Sequence, residues 1–468
     1  MSVGAASSLL ERPAVERLIG LALSKGGDFA EVFAERVESF SLSLDDGRLE
    51  GARRGFDLGA SIRVIAGEST YFGYVDGTAE GDLERLAREV ASAVRRSTVT
   101  PEPLQAKRLA AGQRIVDPPG EVDAARKAQI LRECDERARA SDGRIAQVAA
   151  GYSEIRRTVE VANSQGLHAA DDRTRVGLRA QVVAREDGRV ETGLESLAGH
   201  AGFELLSTDP ARVADQAAQR ALTMLGARSS PAGPMTVVVG NGFGGVLFHE
   251  ATGHGLEADA VGKDASVYSG RIGETLAAGI VTAYDDGLMA GEWGTNGIDD
   301  EGTPCQSTCV IEEGELRSYL YDVTSARKQE AAPTGNGRRE NFRCPPIPRM
   351  TNTYIAPTDI DPEAIIAEVD RGLYAVSFAG GQVEPATGDF VFGLSEGYLI
   401  EHGEVTAPVR GATLIGNGLD VLGRIDAIGN DLDMKSGTCG KDGQSIPVGT
   451  GQPTVRISEL TVGGTDVG

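Results

Sequence analysis

The chain has 468 residues, enough for two or three domains, and its 46 Lys and Arg against 69 Asp and Glu give a formal net charge of −23. Such a charge repels polyanions, so nucleic acid and anionic membranes are not expected as partners. Five cysteines are too few, and odd in number, for a secreted disulfide framework. With neither a signal peptide nor a membrane-spanning run recognisable, we expect a cytoplasmic protein with reduced thiols.

The first predicted unit, residues 1–115, places antiparallel strands between two helices. Helical periodicity is found at residues 13–24 and 80–96, and the alternation typical of strands at residues 40–44 and 59–67. The pairs Asp46-Gly47 and Asp76-Gly77 are typical of tight turns. A proline-containing linker over residues 97–120 ends this unit.

The second predicted unit, residues 116–230, repeats the layout with a helix at 122–140, a meander at 145–197 and a helix opened by Asp209 and Pro210. The third, residues 231–468, is rich in Gly and Asp and has one early helix among short strands, including residues 318–323 and 350–357. The predicted fold class is therefore α+β: two N-terminal helix and antiparallel-meander units, followed by a mostly β C-terminal domain.

The stretch VVVGNGFGGVLFHEATGHGLEAD, residues 237–259, carries two competing patterns. Gly240, Gly242 and Gly245 follow a predicted strand with the spacing of a dinucleotide-binding loop. The residues after the next helix offer no buried parallel strand, so we expect these glycines to serve a tight turn and close helix packing. A nucleotide-dependent oxidoreductase using the Gly240–Gly245 loop is kept as an alternative.

The second pattern is H-E-x-x-x-H, formed by His249, Glu250 and His254. With only five histidines in the chain, coincidence is a poor explanation, and two histidines beside a glutamate indicate a metal site. A spacing of five residues would place the imidazoles about 140° apart on a regular helix. We therefore predict a π-type turn or an unwound segment between them, eased by Gly253 and Gly255.

A catalytic zinc site usually has three protein ligands, so two histidines leave one to find. From the residues alone several candidates stay open. Glu257 and Asp259 are close in sequence, and Cys439 lies among small residues in SGTCGKDGQS. The remaining candidates form a possible separate thiol cluster: Cys305, Cys309 and Cys344.

Five pieces of the chain together resemble the TldD/PmbA family of zinc metalloproteases. They are HEATGHGLEAD, DDEGTP, RMTNTYI, GGQVEPATGDFVFGLSEGYLIEHG and GTCGKDGQ. The resemblance implies that the C-terminal domain is catalytic, that its early helix binds metal, and that His249, His254 and Cys439 hold zinc with Glu250 as catalytic carboxylate. It also implies an active TldD-type subunit, because the paralogous TldE/PmbA-type subunit lacks H-E-x-x-x-H.

The resemblance further implies a zinc-dependent metallopeptidase that hydrolyses unfolded peptides or small proteins in an enclosed cavity, in peptide maturation or proteolysis. The expected partner is a TldE/PmbA-like paralogue, giving a heterodimer, or a second copy of the chain. We expect an extended peptide to be held by strand addition, with RMTNTYI, residues 349–355, as the candidate strand. A non-catalytic, metal-stabilised assembly subunit is the remaining alternative.

Overall fold

The fold was analysed in a computed structural model, which describes residues 8–94, 99–107 and 115–464. Part of the predicted linker, residues 97–98 and 108–114, lies outside this range. None of the helices in the described ranges is both long enough and apolar enough to cross a lipid bilayer.

The N-terminal elements follow the predicted order. They are α1 (Arg12–Ala22), β1 (Phe29–Asp45), β2 (Arg48–Ala66), β3 (Ser69–Asp76), α2 (Glu80–Ala93) and β4 (Gln105–Lys107). The predicted strands are segments of much longer ones, and Asp46 and Gly47 both adopt positive φ at the β1–β2 turn. Both helices bury an apolar face against strands of the hairpin, forming one hydrophobic cluster.

The second group also confirms the predicted order. It contains α3 (Ala124–Ser141), β5 (Ile145–Asn163), β6 (Leu167–Glu186), β7 (Arg189–Gly199) and α4 (Arg212–Leu225). The predicted start of the last helix is wrong, because its N-cap is Ala211 and Asp209 has a φ of 41°. The Asp209 carboxylate pairs with Arg137 on α3. α3 and α4 pack side by side over the sheet.

Strands of both N-terminal groups form one seven-stranded sheet, in the order β3-β2-β1-β5-β6-β4 with β7 also pairing with β6. The antiparallel pairing of β1 with β5 joins the groups through fifteen consecutive residue pairs, from Glu31↔Asn163 to Asp45↔Ala149. The predicted boundary at residues 115 and 116 therefore separates two stretches of sequence that share a sheet.

The C-terminal part begins with a short strand and continues as a series of strands with short helices between them. Its elements are β8 (Arg228–Ser229), β9 (Gly233–Val239), α5 (Gly245–Ala251), α6 (Ala258–Val261), β10 (Ala283–Asp286), β11 (Ser307–Glu312), β12 (Glu315–Leu316), α7 (Val323–Lys328), β13 (Gly337–Arg338), β14 (Ile347–Pro348), β15 (Asn352–Ile355), α8 (Pro362–Ala367), β16 (Arg371–Glu384), β17 (Asp389–Glu401), β18 (Glu404–Arg410), β19 (Thr413–Asn417), α9 (Gly418–Gly423), β20 (Ile425–Ile428), β21 (Asp433–Lys441), β22 (Gln444–Gln452) and β23 (Val455–Gly463). The predicted α+β class with a mostly β C-terminal part is confirmed.

Two larger sheets organise this part. One has six strands in the order β12-β11-β10-β15-β22-β21, and the other has eight, with β9 between β16 and β23. The helix α5 packs against strands of both sheets, over one extended apolar core. The predicted strand at residues 318–323 is wrong: Leu320 makes only an isolated bridge, and Asp322 instead caps α7 in a capping box with Ser325.

Buried ion pairs join the C-terminal part to the N-terminal sheet. The Asp300 carboxylate accepts a hydrogen bond from Arg173 of β6 at 2.7 Å and from the backbone N–H of Arg339 at 2.9 Å. The Arg339 guanidinium in turn lies 2.6 Å from Glu31 of β1. Since these groups are almost fully buried, removing either partner leaves an uncompensated charge, and the contacts set how the two parts meet.

Candidate metal centre

The helix that carries the H-E-x-x-x-H pattern is interrupted between its two histidines. α5 ends at Ala251, Thr252 leaves helical geometry with φ −126° and ψ −51°, and a 3-10 turn follows over Gly253–Leu256. This break confirms the predicted unwinding. The imidazole centroids of His249 and His254 consequently lie 5.2 Å apart with the rings nearly perpendicular.

The glycines around the pattern act mainly by leaving space. A Cβ on Gly253 would lie 2.1 Å from the Met350 sulfur, and one on Gly255 would lie 2.5 Å from the Tyr268 ring. Neither glycine has positive φ, so close packing, and not the backbone freedom expected from the sequence, explains them. A Cβ on Gly245 would lie 2.4 Å from a backbone nitrogen of β22, so the first turn of α5 rests directly on that strand.

The same contacts explain the dinucleotide-like spacing. Gly242 turns the chain with a φ of 69°, and Gly245 allows the helix to approach β22. The strand after this helical segment, β10, belongs to a different sheet from β9. A strand, helix and parallel strand within one sheet are required for dinucleotide binding of this kind, so the fold disagrees with the nucleotide alternative.

Cys439 is brought to the two histidines because its strand, β21, pairs with β22. Its sulfur lies 3.3 Å from His249 Nε2 and 3.2 Å from His254 Nε2, although His249 is 190 residues away in sequence. The ligand-type atoms of all three side chains lie within 4.8 Å of one another. His249 and Cys439 are buried, with 3% and 4% of their surface exposed.

This donor set fits a zinc ion. Zn–S and Zn–N bonds of about 2.3 and 2.0–2.1 Å at a tetrahedral angle separate sulfur from nitrogen by about 3.5 Å. The two observed S···N separations are close to that value. Two imidazoles and a thiolate also match the softness that zinc prefers, and three ligands leave one position for water or substrate.

The electrostatics of the group favour an ionised sulfur. Burial by itself raises the pKa of the Cys439 thiol, but hydrogen bonding and charge from His249 and His254 lower it to about 5. Burial likewise lowers the pKa of His254, and the Glu257 and Cys439 charges overcome this and raise it to about 11. The site therefore stabilises a thiolate, which is the form that binds metal.

The outer nitrogen of each imidazole has a buried oxygen partner. His249 Nδ1 lies 3.2 Å from the Thr353 hydroxyl, and His254 Nδ1 lies 3.0 Å from Glu257 Oε2. Each Nε2 is thereby directed towards Cys439. Such contacts fix the ring orientation and tautomer of metal-binding histidines.

Glu257 is itself held by two cations. Lys441 Nζ lies 3.0 Å from its Oε2, and Arg349 Nε lies 3.8 Å from its Oε1. Arg349 also donates a hydrogen bond of 2.6 Å to the carbonyl of Cys439. Burial raises the pKa of Glu257, but His254, Lys441 and Arg349 lower it overall, so the carboxylate stays charged.

The supporting roles of these residues were not predicted from the sequence. The available signals were weak but present: Glu257 is three residues after His254, and Lys441 lies two residues after Cys439 on the same strand. Alternate residues of a strand share a face, and the folded structure shows that both residues lie on β21, a strand that was not predicted from the sequence. Arg349 and Thr353 belong to the RMTNTYI stretch, whose sequence gives no indication of a metal.

Glu250 stands at the open side of the group. Its Oε2 lies 3.8 Å from His254 Nε2, and its side chain is 31% exposed, more than that of His254 at 12%. A carboxylate beside an imidazole nitrogen, with access to solvent, can exchange protons with water or substrate.

The other ligand candidates do not join the cluster. Glu257 faces the outer nitrogen of His254, and Asp259 pairs with Lys441 at 2.6 Å. The three remaining cysteine candidates form no metal-binding group in the described part of the chain: Cys305, Cys309 and Cys344.

Comparison with known proteins defines the class to which this fold and site belong. Residues 30–95, 117–225 and 232–464 match models of domain 1, the central domain and the C-terminal domain of the PmbA/TldA metallopeptidases. A protein of Haemophilus influenzae named metalloprotease TldD homolog is 39% identical over 450 residues, covering 94% of this chain and 93% of that protein.

Two further proteins extend the comparison. A zinc metalloprotease TldD homolog of Saccharolobus solfataricus is 29% identical, with 94% of this chain and 97% of that protein covered. The crystal structure of TldE from Thermococcus kodakarensis has the same fold, with a TM-score of 0.77, 20% identity, and coverage of 96% and 99%. The chain belongs to the PmbA/TldD family of metallopeptidases.

Proposed function

We propose that this chain is a zinc-dependent peptidase in which His249, His254 and Cys439 hold the metal. The observation that carries the proposal is the convergence of two imidazoles and a thiolate within 4.8 Å, beside the partly exposed Glu250. When bound, zinc supplies a Lewis acid that polarises a carbonyl and acidifies water.

Glu250 is the proposed general base and acid. Its carboxylate takes a proton from the attacking water and delivers it to the nitrogen of the leaving amine. Glu257 and Thr353 orient the two histidines, while Arg349 holds the backbone of Cys439. These contacts keep the donor atoms in place before substrate arrives, which lowers the cost of reaching a productive geometry.

The substrate strand adds to β21 and not to β15. The expectation that RMTNTYI holds the peptide is wrong, because β15 is already paired with β10 on one side and β22 on the other. Among the described strands β21 lies at one edge of its sheet, and it carries Cys439. An extended peptide pairing with this edge would therefore pass the metal, with main-chain hydrogen bonds that accept many sequences.

A purely structural zinc site is the competing function. Such a site normally has four protein ligands, whereas the described residues gather three and leave Glu250 beside them. We also propose an unfolded peptide as substrate and a TldE-like paralogue or a second copy as partner. The family membership supports both, and the TldE of Thermococcus kodakarensis shows that the paralogue type shares this fold.

Glu250→Gln tests the proposal. The variant should retain zinc and bind peptide, but hydrolyse an unfolded peptide at least about 100-fold more slowly, because a positioned general base is lost. Zinc is measured by elemental analysis and cleavage by mass spectrometry, with Glu274→Gln as an exposed-carboxylate control. If Glu250→Gln stays active, Glu250 is not the general base. If the zinc-loaded wild type is inactive both alone and with its paralogue, a structural zinc site is favoured instead.

A further inference from the structure

The N-terminal sheet carries a concave basin of about 470 Å³ on the face opposite α3 and α4. Two neighbouring cross-strand rows of residues form its floor. One row is Arg53, Ser41, Ser153, Gly177 and Ala198, and the other is Gly51, Ser43, Gly151, Arg179 and Ser196. Each row contains one arginine and otherwise only Ser, Gly or Ala.

The two arginines lack charge partners. Neither Arg53 nor Arg179 forms an ion pair or side-chain hydrogen bond with any described residue, whereas half of the other arginines of this sheet pair with acids. No Asp or Glu lines the basin. On a chain with a net charge of −23, this surface is a local exception to the overall charge.

The wall of the basin is Trp293, the only tryptophan of the chain. The buried Arg175 fixes it, donating hydrogen bonds to the carbonyls of Trp293 at 2.7 Å and Thr295 at 2.9 Å. Arg175 also donates a hydrogen bond of 2.8 Å to the Asn296 side chain, and its guanidinium carbon lies 5.9 Å from the centroid of the Trp293 ring.

The floor is suited to an extended backbone. Small side chains across five strands allow a close approach, and the hydroxyls of Ser41 and Ser153 make no hydrogen bonds with described residues. Gly177 keeps this floor low, because a Cβ there would lie 3.1 Å from the Ser153 hydroxyl oxygen. Arg179 lies across Gly151, with its Nε 3.6 Å from the position of a Cβ.

One strand of the basin floor also contacts the strand that carries the proposed peptide-binding edge. β7 supplies Ser196 and Ala198 to the floor and packs against β21. Cys439 and Asp433 are six positions apart on β21, so about 20 Å of extended strand separates them.

We infer that this basin binds a carboxylate-bearing segment of an extended peptide, through Arg53 and Arg179 against the Trp293 wall. The carboxylate is an acidic side chain or the terminus of the peptide. The peptide nature of the ligand rests on the proposed function, whereas the basin itself is separate from the metal centre. Main-chain pairing with the β21 edge accepts many peptide sequences. The basin would add a preference for acidic peptides among them.

The test uses Trp293 emission as a reporter, in the zinc-loaded Glu250→Gln protein to prevent cleavage. Three 12-residue peptides lacking aromatic residues are titrated: one with two glutamates and an amidated terminus, one with glutamines and an amidated terminus, and one with glutamines and a free carboxyl terminus. At least one carboxylate-bearing peptide should change the emission saturably and bind about tenfold more tightly than the neutral peptide. The peptide that does so identifies the source of the carboxylate.

Two double substitutions of equal charge provide the comparison. Arg53→Gln with Arg179→Gln should abolish the preference for the carboxylate. Arg54→Gln with Arg132→Gln should preserve it, because Arg54 lies over Phe40 on the opposite face and Arg132 is exposed on α3. Zinc content and thermal unfolding check that each variant is folded.

Equal affinity for neutral and anionic peptides, an unchanged Trp293 emission, or equal weakening in both double variants would overturn the inference. Binding is measured without hydrolysis, so the two proposals fail separately. If the protein binds acidic peptide in the basin but cleaves no peptide, only the proposed function is rejected. If the protein cleaves neutral and acidic peptides equally well and the emission of Trp293 does not change, only the inferred binding of carboxylates in the basin is rejected.

Discussion

Replacing Glu257 by glutamine should weaken zinc binding without removing a ligand. The carboxylate lies 3.0 Å from His254 Nδ1, and glutamine keeps its size while losing the charge that orients and polarises the imidazole. Loss of such a partner typically lowers metal affinity by 10- to 100-fold, or about 1.4–2.8 kcal/mol. The metal-free protein should also lose up to about 3 kcal/mol of stability, because Arg349 is left without a nearby carboxylate.

The assay is competition for zinc against a chelator of known affinity, combined with thermal unfolding of the metal-free protein. Asp259→Asn is the matched control, because Asp259 contacts Lys441 but not His254. Its zinc affinity should stay close to that of the wild type. Unchanged affinity in Glu257→Gln would refute the orienting role, and a loss as complete as that in Cys439→Ser would make Glu257 a direct ligand.

Three further outcomes are expected. Cys439→Ser should lose zinc because a serine hydroxyl stays protonated, whereas Cys305→Ser should keep it; elemental analysis separates them. Gly245→Ala should destabilise the fold by about 1–3 kcal/mol in urea unfolding, since its Cβ meets the backbone of β22, and Gly440→Ala, with open space, should not. Burial alone would raise the pKa of Asp300, but buried arginines lower it below its ordinary value, so its stabilisation should be lost as pH falls below about 4. The urea midpoint should therefore fall less between pH 6 and 3 in Asp300→Asn than in the wild type, and an equal fall in both would contradict this.

The histidine spacing shows how far the sequence leads at this site. A spacing of five positions from His249 to His254 excludes two ligands on one face of a regular helix, and it correctly predicts an irregular segment. It cannot distinguish a π turn from a break, because the choice depends on packing of Gly253 and Gly255 against Met350 and Tyr268, which only the folded structure shows.

Cys439, the third side chain of the cluster, could not be assigned from local sequence in the same way. Cys439 is far from the histidines in sequence, and no local periodicity relates them. The resemblance to the family singled it out, and the pairing of β21 with β22 beneath α5 explains physically how it reaches the histidines. Its role as a ligand, like the roles of His249 and His254, stays a prediction.

The incorrect strand assignments share a cause. Residues 318–323 alternate polar and apolar side chains like a strand. Asp322 and Ser325 instead form hydrogen bonds with free backbone N–H groups at the start of α7, so this segment becomes a helix cap and not a strand. RMTNTYI does contain a strand, but alternation does not reveal whether a strand lies at the edge or the centre of its sheet. That property depends on long-range pairing of β15 with β10 and β22.

The proposal that this chain is a zinc enzyme with a His, His and Cys site is tested most directly by X-ray absorption at the zinc edge of the purified, active protein. We expect one sulfur at about 2.3 Å and two imidazole nitrogens at about 2.0–2.1 Å, with a further light-atom ligand. A first shell of nitrogen and oxygen without sulfur would contradict it, because Cys439 would then not bind the metal.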